Sequence, residues 1–265
     1  MYPDGFNPRV MKFCAWCGVI FCAMWLGGAG PLSGWLYLPP PSAADAAATT
    51  LADYTSRNLM LMRIGITISN FACVFYLAWG MAISMLVKKV EGEYPILFYI
   101  QVVSLAACVV VILYIAYFWG AAMWRPGETT PDVTQALNDL GWLGVLYTGA
   151  PFASYQIALA SVILSDKSKR PVFPRWSAYF NLFVAVFMFE AAGILLFKTG
   201  PFSQDGLFVF YVPMISYFVW ILTFSWLGLR AINAEIAARA APGESLFKAA
   251  GGLSQPSRGL ETARP

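Results

Sequence analysis

The sequence predicts an all-helical membrane protein, with six transmembrane helices in one bundle and a short extracytoplasmic amphipathic helix between the first two. Apolar residues make up 59% of the 265 residues and charged residues 12%, whereas a soluble domain is about half apolar and about a quarter charged. The mean hydropathy is +0.63. Six long apolar runs alternate with short polar segments, and a soluble fold of this size cannot cover that much apolar surface. These observations argue against a soluble enzyme, a nucleic-acid binder or a disordered protein.

Each apolar run is long enough to cross a bilayer as a helix, which takes about 20 residues. Turns that contain proline and glycine, such as Arg125-Pro126-Gly127, separate the runs. The first run is longer than the apolar part of an ordinary signal peptide, so we expect a retained membrane helix. The predicted spans cover about residues 12–37, 58–87, 94–123, 140–164, 176–198 and 206–232.

The segment between the first two spans predicts a helix of its own. Ser42 follows three prolines and precedes a run of alanines that contains Asp45. A serine N-cap and an acid in the first turn are typical of a helix start, which predicts an outer helix at about 43–56. Likewise, Thr130-Pro131-Asp132 predicts that the fourth membrane helix begins before its apolar zone.

Composition divides the chain into a membrane domain and a tail. After Pro242 the chain is rich in Gly, Ser and Pro and has few aliphatic residues, a composition that does not support a packed core. We therefore expect residues 1–241 to form the six-helix transmembrane domain and residues 242–265 to form a disordered cytoplasmic tail.

The basic residues predict the orientation of the bundle. Of the 17 Lys and Arg residues, Arg57, Arg125 and Lys198 fall on one side of the membrane and Arg63 falls within a span, which leaves 13 on the side of the two termini. Cytoplasmic loops of membrane proteins carry an excess of Lys and Arg. Both termini are therefore expected to be cytoplasmic.

The proline-rich outer loop, Arg63-x-Gly65 and Gly200-Pro201-Phe202 occur in an order that resembles bacterial inner-membrane proteins in general. The resemblance implies that location and no active site. The expected partners are the lipid bilayer, a small apolar or amphiphilic ligand, and further copies of the chain or the subunits of a membrane complex. Nucleic acid is not an expected partner, because the basic residues follow the pattern of membrane insertion.

The absence of histidine removes several chemistries. It excludes His-ligated haem, zinc, copper or non-haem iron, and also a Ser-His or Cys-His nucleophile pair. The five cysteines lie in apolar runs, and Cys14-x-x-Cys17 lacks a second pair, so we interpret them as packing residues. No nucleotide- or phosphate-binding motif is present. We expect neither a metal nor another cofactor.

Polar residues within the spans are the candidate ligand-binding residues, because polar groups in lipid are costly and usually face the protein interior. Arg63 and Asn70 share one face of the second span, at i and i+7. Arg63 and Glu190 both belong to the outer half, and we expect them to face the interior and to interact, with Asp139 as a competing partner of Arg63. The candidate set is Arg63, Asn70, Asp139, Tyr147, Gln156 and Glu190.

Three functions fit these features. The first is binding or transport of a small apolar or amphiphilic molecule through a polar pocket in the outer half of the bundle, which the helix-breaking Pro151 and Pro213 favour. The second is an intramembrane enzyme of the isomerase, cyclase or hydrolase type, in which a protonated Glu190 donates a proton. The third is a non-catalytic accessory subunit of a membrane complex. A cavity that reaches Glu190 favours the first two, and a solid core favours the third.

Overall fold

A computed structural model describes residues 6–33 and 46–240, except for the side chains of Glu190 and Ala192. Within these ranges the chain forms helices and no β-strand, which confirms the all-helical prediction. The α-helices of the described residues are α1 (Pro8–Gly27), α2 (Ala47–Ser56), α3 (Leu59–Val87), α4 (Ile96–Trp124), α5 (Pro131–Leu146), α6 (Ala150–Ser165), α7 (Arg175–Glu190) and α8 (Val212–Ala240).

Local capping explains where several helices begin. The side chain of Asn7 accepts hydrogen bonds from two backbone N–H groups in the first turn of α1, and Asn58 accepts one in the first turn of α3. Both satisfy donors that have no partner within the helix. Pro131 occupies the first turn of α5, as predicted, where its missing N–H removes no helical hydrogen bond.

Two predicted segments lie partly or wholly outside the described residues. The helix predicted at 43–56 corresponds to α2, Ala47–Ser56, but Ser42 and residues 43–45 are not described. The side of the membrane on which α2 lies stays a prediction. The tail predicted at 242–265 lies wholly beyond the described residues, which end with α8 at Ala240.

Five helical segments of the described chain are long and apolar enough to cross a membrane. Short π-helical or 3-10 turns extend four of them beyond the α-helices. Large apolar side chains such as Phe71, Val103 and Ile215 stand exposed on their outer faces, as lipid contact requires. The five segments are Pro8–Leu32, Leu59–Val90, Ile96–Trp124, Arg175–Leu195 and Leu207–Ala240.

The span predicted at 140–164 is not one helix. It is divided between α5 and α6, which have 16 residues each, fewer than a crossing needs. Pro151 lies in the first turn of α6, and a proline inside a continuous helix would remove a hydrogen bond and clash with the preceding turn. At Gly149 the Met188 carbonyl occupies the place of a Cβ, so this junction admits no larger residue without a backbone shift.

Six of the helices form a closed ring in which α1 contacts α3, α3 contacts α4, α4 contacts α6, α6 contacts α7, α7 contacts α8 and α8 contacts α1. The main core lies inside this ring and includes the buried rings of Trp79, Tyr155 and Trp220. A smaller core includes Tyr54 and Trp142 and joins α2 and α5 to the ring. The helix ends near this second core surround the cavity described below.

Candidate functional site

Arg63 does not face the interior of the bundle, contrary to the expectation from the sequence. Its side chain is exposed on α3. Its Nε donates to the Met123 carbonyl at 3.1 Å, and its Nη2 donates to the carbonyls of Met123 and Trp124, both at 2.9 Å. These residues end α4, where carbonyls lack helical partners and a cation is favourable. The end of α4 therefore satisfies Arg63, and these hydrogen bonds do not involve Asp139.

The predicted contact between Arg63 and Glu190 remains a prediction, because the side chain of Glu190 is not among those that the structure describes. Its backbone ends α7. Asp139 is half-buried on α5, and its Oδ1 is buried without a hydrogen-bond partner in the described chain. Lys198 is near enough to interact with Asp139 electrostatically.

A tyrosine–asparagine pair next to Asp139 attaches α2 to α5. The Tyr54 hydroxyl donates to Asn138 Oδ1 at 2.8 Å, and both residues are fully buried. Burial, reinforced by the nearby Asp53 carboxylate, raises the pKa of Tyr54 far above its usual range. The hydroxyl therefore stays protonated and remains a donor. This pair fixes α2 in place.

The other three candidates occupy different surroundings. Tyr147 caps the end of α5 and is 50% exposed, and Asn70 is half-buried on α3. Gln156 is fully buried, and neither its amide oxygen nor its amide nitrogen has a hydrogen-bond partner among the described residues. The structure thus brings Gln156 into the interior but does not gather the candidate residues into one pocket.

Gln156 belongs to a polar layer on the side of the bundle where the chain begins and α8 ends. Ser104 of α4 donates to Ser154 of α6 at 3.0 Å, and the Tyr155 hydroxyl donates to the Gly80 carbonyl, also at 3.0 Å. Gln101 on α4 is fully buried as well, and its amide has no hydrogen-bond partner in the described chain. Because α4 and α6 are antiparallel and both glutamines lie within one turn of the serine contact, Gln101 and Gln156 lie at a similar depth. Their side chains contribute four amide atoms without a hydrogen-bond partner among the described residues.

An apolar cavity, which we call the principal cavity because it lies between the long apolar helices, is in the other half of the bundle, between α1, α4 and α8 and the junction of α5 with α6. It encloses about 70 Å³ of free interior space and measures about 630 Å³ with its concave mouth included. Its walls are almost entirely apolar. The side chains that define them are Phe21, Trp25, Ile112, Ile115, Val145, Leu146, Phe152, Met188, Ala191, Phe210, Pro213, Met214, Tyr217 and Phe218.

Tyr217 lines this cavity with its ring. Its hydroxyl is buried and makes no hydrogen bond of acceptable geometry within the described chain, although the Tyr76 hydroxyl is close enough to interact with it. The Tyr217 ring is held by Trp220, with centroids 5.7 Å apart and stacked, and by Phe152, at 5.5 Å and edge-on. The Tyr217 ring is therefore held rigidly at the wall of the cavity, and its buried hydroxyl lies next to that of Tyr76.

Interrupted helices create this space. Pro151 and Gly149 divide α5 from α6, and on the other side a π-helical turn at Leu207–Tyr211 precedes α8, whose second residue is Pro213. The sequence contained a sign of this in Pro151 and Pro213. The apolar lining residues themselves gave no signal, because in a membrane protein they resemble lipid-facing or core residues.

None of the five candidates with described side chains lines the cavity. The described residues also contain no group of three or more His, Cys, Asp or Glu side chains able to hold a metal ion. Comparison of the chain with protein-family models, with curated proteins and with solved structures finds no match.

Proposed function

We propose that the chain is an integral protein of the bacterial inner membrane with six crossings, in which α5 and α6 together form the fourth. Each of these helices is about 24 Å long at 1.5 Å per residue, which is short of the hydrocarbon core of about 30 Å. Placed end to end, the two helices exceed that thickness. The hydrogen bond between Ser104 and Ser154 supports a crossing that packs against α4.

We also propose that both termini are cytoplasmic. The ends of α3 and α8 meet where Lys89 and Arg239 flank Glu235. Arg239 also lies over the ring of Phe6, 4.5 Å from its centroid, just before α1. These contacts gather basic segments from distant parts of the chain at one end of the bundle, as the positive-inside rule expects of a cytoplasmic face.

Within this topology we propose that the protein binds a small apolar or amphiphilic molecule in the principal cavity. The observation that carries the proposal is an apolar, half-enclosed space lined largely by aromatic side chains, with the buried Tyr217 hydroxyl, which makes no hydrogen bond of acceptable geometry among the described residues, in one of its walls. Ligand sites are typically apolar clefts with few polar groups that fix orientation. A ligand that offers one hydrogen-bonding atom would satisfy Tyr217 and place its remainder against the aromatic walls. A transported molecule would pass through the same site.

The size of the cavity restricts how a ligand is held. Its interior of about 70 Å³ is smaller than the cavity of about 150 Å³ that admits benzene in an engineered protein. A larger ligand therefore inserts one end, and the rest of it occupies the mouth. This arrangement favours an elongated molecule.

Small molecules that co-purify with the protein in mild detergent test the proposal. Ala191 lines the cavity and is buried, so Ala191→Leu should fill the space and remove most of the bound molecule. Tyr217→Phe deletes only the hydroxyl and should weaken binding by about five- to tenfold, since one hydrogen bond contributes about 1 kcal/mol. Mass spectrometry of extracts, normalised to protein, gives the amount bound.

Tyr147→Phe is the matched control, because it removes a tyrosine hydroxyl that is exposed and outside the cavity. It should retain the same molecule in the same amount as the unaltered protein. If no small molecule co-purifies, or if all three variants retain it equally, the cavity is not the binding site and the accessory-subunit function becomes the better proposal.

A further inference from the structure

A second concave surface lies at the end of the bundle where the basic residues gather. It is a groove between the ends of α3 and α8 and the connection from α6 to α7. It measures about 440 Å³, or about 990 Å³ with its mouth included. Its walls combine Lys89 and Arg170 with Glu235 and a series of small or apolar side chains. This mixture differs from the almost wholly apolar principal cavity.

The connection between α6 and α7 is shaped by one aspartate. Asp166 ends α6, and its Oδ1 accepts from the backbone N–H of Ser168 at 3.0 Å while its Oδ2 accepts from that of Val172, also at 3.0 Å. These two hydrogen bonds span the turn that contains Arg170. The turn therefore holds Arg170 at the edge of the groove.

Glu235 is the most buried charged group of the groove, with 2% of its surface exposed. Its Oε1 accepts from Arg239 Nε at 2.6 Å. Its Oε2 is 4.0 Å from Lys89 Nζ and accepts no hydrogen bond in the described chain. A buried carboxylate oxygen that accepts no hydrogen bond is costly. The ion pair with Lys89 offsets part of this cost, and a hydrogen bond donated by a ligand hydroxyl in the groove would offset more.

The charges of the groove favour an anion that also carries donors. Lys89, Arg170 and Arg239 contribute three positive charges, and Glu235 and Asp166 contribute two negative charges, which leaves an excess of one positive charge. A phosphodiester has one negative charge and accepts from Lys and Arg. A neighbouring hydroxyl would donate to Glu235. An anionic glycerophospholipid whose headgroup contains glycerol has both the phosphodiester and the hydroxyl.

The apolar part of the groove suits the same ligand. One face of α8 presents alanines on either side of Glu235, with Leu86 of α3 and Val172 opposite. Alanine leaves room for an acyl chain to lie close to the helix. The groove joins these apolar walls to charged residues at the helix ends, which is the level of lipid headgroups, and basic pockets between helices on the cytoplasmic side bind such headgroups.

We propose that this groove binds an anionic glycerophospholipid of the cytoplasmic leaflet. Arg170 and Lys89 donate to the phosphodiester, the headgroup hydroxyl donates to Glu235 Oε2, and one acyl chain lies along the alanines of α8. The proposal rests on the membrane insertion and the cytoplasmic termini proposed above but not on a ligand in the principal cavity, so the Ala191→Leu variant of that cavity should bind the phospholipid normally.

Native mass spectrometry of the full chain in mild detergent, titrated with phosphatidylglycerol, tests the proposal. Arg170→Gln should weaken phosphatidylglycerol binding by about fivefold, the effect expected of one basic residue near a headgroup. Lys169→Gln is the matched control, because Lys169 is the adjacent exposed cation and does not line the groove. It should change binding by less than twofold.

Three further measurements test the headgroup, the apolar wall and competition by free phosphate. Phosphatidylcholine, which lacks the headgroup hydroxyl and the net charge, should bind at least fivefold more weakly than phosphatidylglycerol. Ala234→Leu should narrow the apolar wall and weaken lipid binding while the cations remain. The proposal is overturned if Arg170→Gln and Lys169→Gln have equal effects, if the two lipids bind equally, or if millimolar inorganic phosphate displaces phosphatidylglycerol, which would identify a site for free phosphate.

Discussion

Arg63 and Tyr217 illustrate two ways in which a polar side chain is accommodated in an apolar bundle. Arg63 reaches carbonyls at the end of α4, which no helical N–H can satisfy. These hydrogen bonds therefore help to hold α3 against α4. The Tyr217 hydroxyl is buried and makes no hydrogen bond of acceptable geometry among the described residues, although the Tyr76 hydroxyl lies close to it, and the Tyr217 ring lines the principal cavity. The first residue has a structural role, and the second is the better candidate for ligand contact.

Arg63→Met is expected to lower the free energy of unfolding by about 1 kcal/mol, because an exposed cation at a helix C-terminus contributes about 0.3–1 kcal/mol and its hydrogen bonds are lost as well. Arg63→Lys should restore the charge but not the forked geometry, and should recover part of the loss. Thermal unfolding in detergent measures both effects.

Because the guanidinium bonds to carbonyls, Arg63→Met should cost the same in a Glu190→Gln background, and the two losses should add. A double variant that is more stable than the sum of the single losses would instead demonstrate the pairing with Glu190 that the sequence predicts.

At the scale of elements, the α1–α3 contact depends on two glycines. The Gly65 carbonyl occupies the place that a Cβ on Gly28 would take, and the Gly28 carbonyl does the same at Gly65. Ser69 Oγ also donates to the Trp25 carbonyl at 3.3 Å. Small residues allow membrane helices to approach closely in this way, and here they hold α1 where Phe21 forms a wall of the principal cavity.

Gly28→Ala is expected to destabilise the protein by about 1–3 kcal/mol, the usual effect of overpacking. The added methyl group would clash with the Gly65 carbonyl, which is part of the backbone and cannot rotate away as a side chain can. Gly27→Ala is the matched control. Apart from its chain neighbours and its own helix backbone, no atom lies within 4 Å of its added Cβ, and alanine is the better helix former. The unfolding midpoint of Gly27→Ala should therefore equal or exceed that of the unaltered protein. Equal losses in the two variants would contradict the close α1–α3 contact.

At the scale of the whole molecule, the junction of α5 with α6 controls both topology and cavity. If these helices together cross the membrane, the connections on either side of the pair lie in different compartments. If they do not, the chain crosses five times and the termini lie on opposite sides. The polar contacts of Lys89, Glu235 and Arg239 place the ends of α3 and α8 at one end of the bundle, which supports the six-crossing proposal, because five crossings would put these ends on opposite sides.

Reporter fusions along the chain decide between these topologies. Fusions after residues 90, 170 and 240 should report the cytoplasm, and fusions after residues 127 and 203 should report the outside, because of the distribution of basic residues. The comparison of 127 with 170 tests the crossing by α5 and α6 directly. A strong external signal from the fusion at 170 would contradict the six-span topology.

The sequence by itself determined the helical membrane class and most helix positions, because a bilayer requires long apolar segments whose backbone bonds are internal. It also located the start of α5 at Thr130-Pro131. It did not predict that Pro151 divides the fourth span, since prolines also occur within continuous membrane helices whose neighbours satisfy the freed backbone groups.

Only the tertiary structure decided which side chains meet. Charge and depth alone led to an interior Arg63, whereas the nearby end of α4 offers carbonyls that no sequence pattern pairs with it. The principal cavity was equally inaccessible from the sequence, because apolar walls, lipid-facing surfaces and packed cores share one composition. Which apolar residues surround an empty space depends on where helix ends meet, and helix packing in three dimensions determines that.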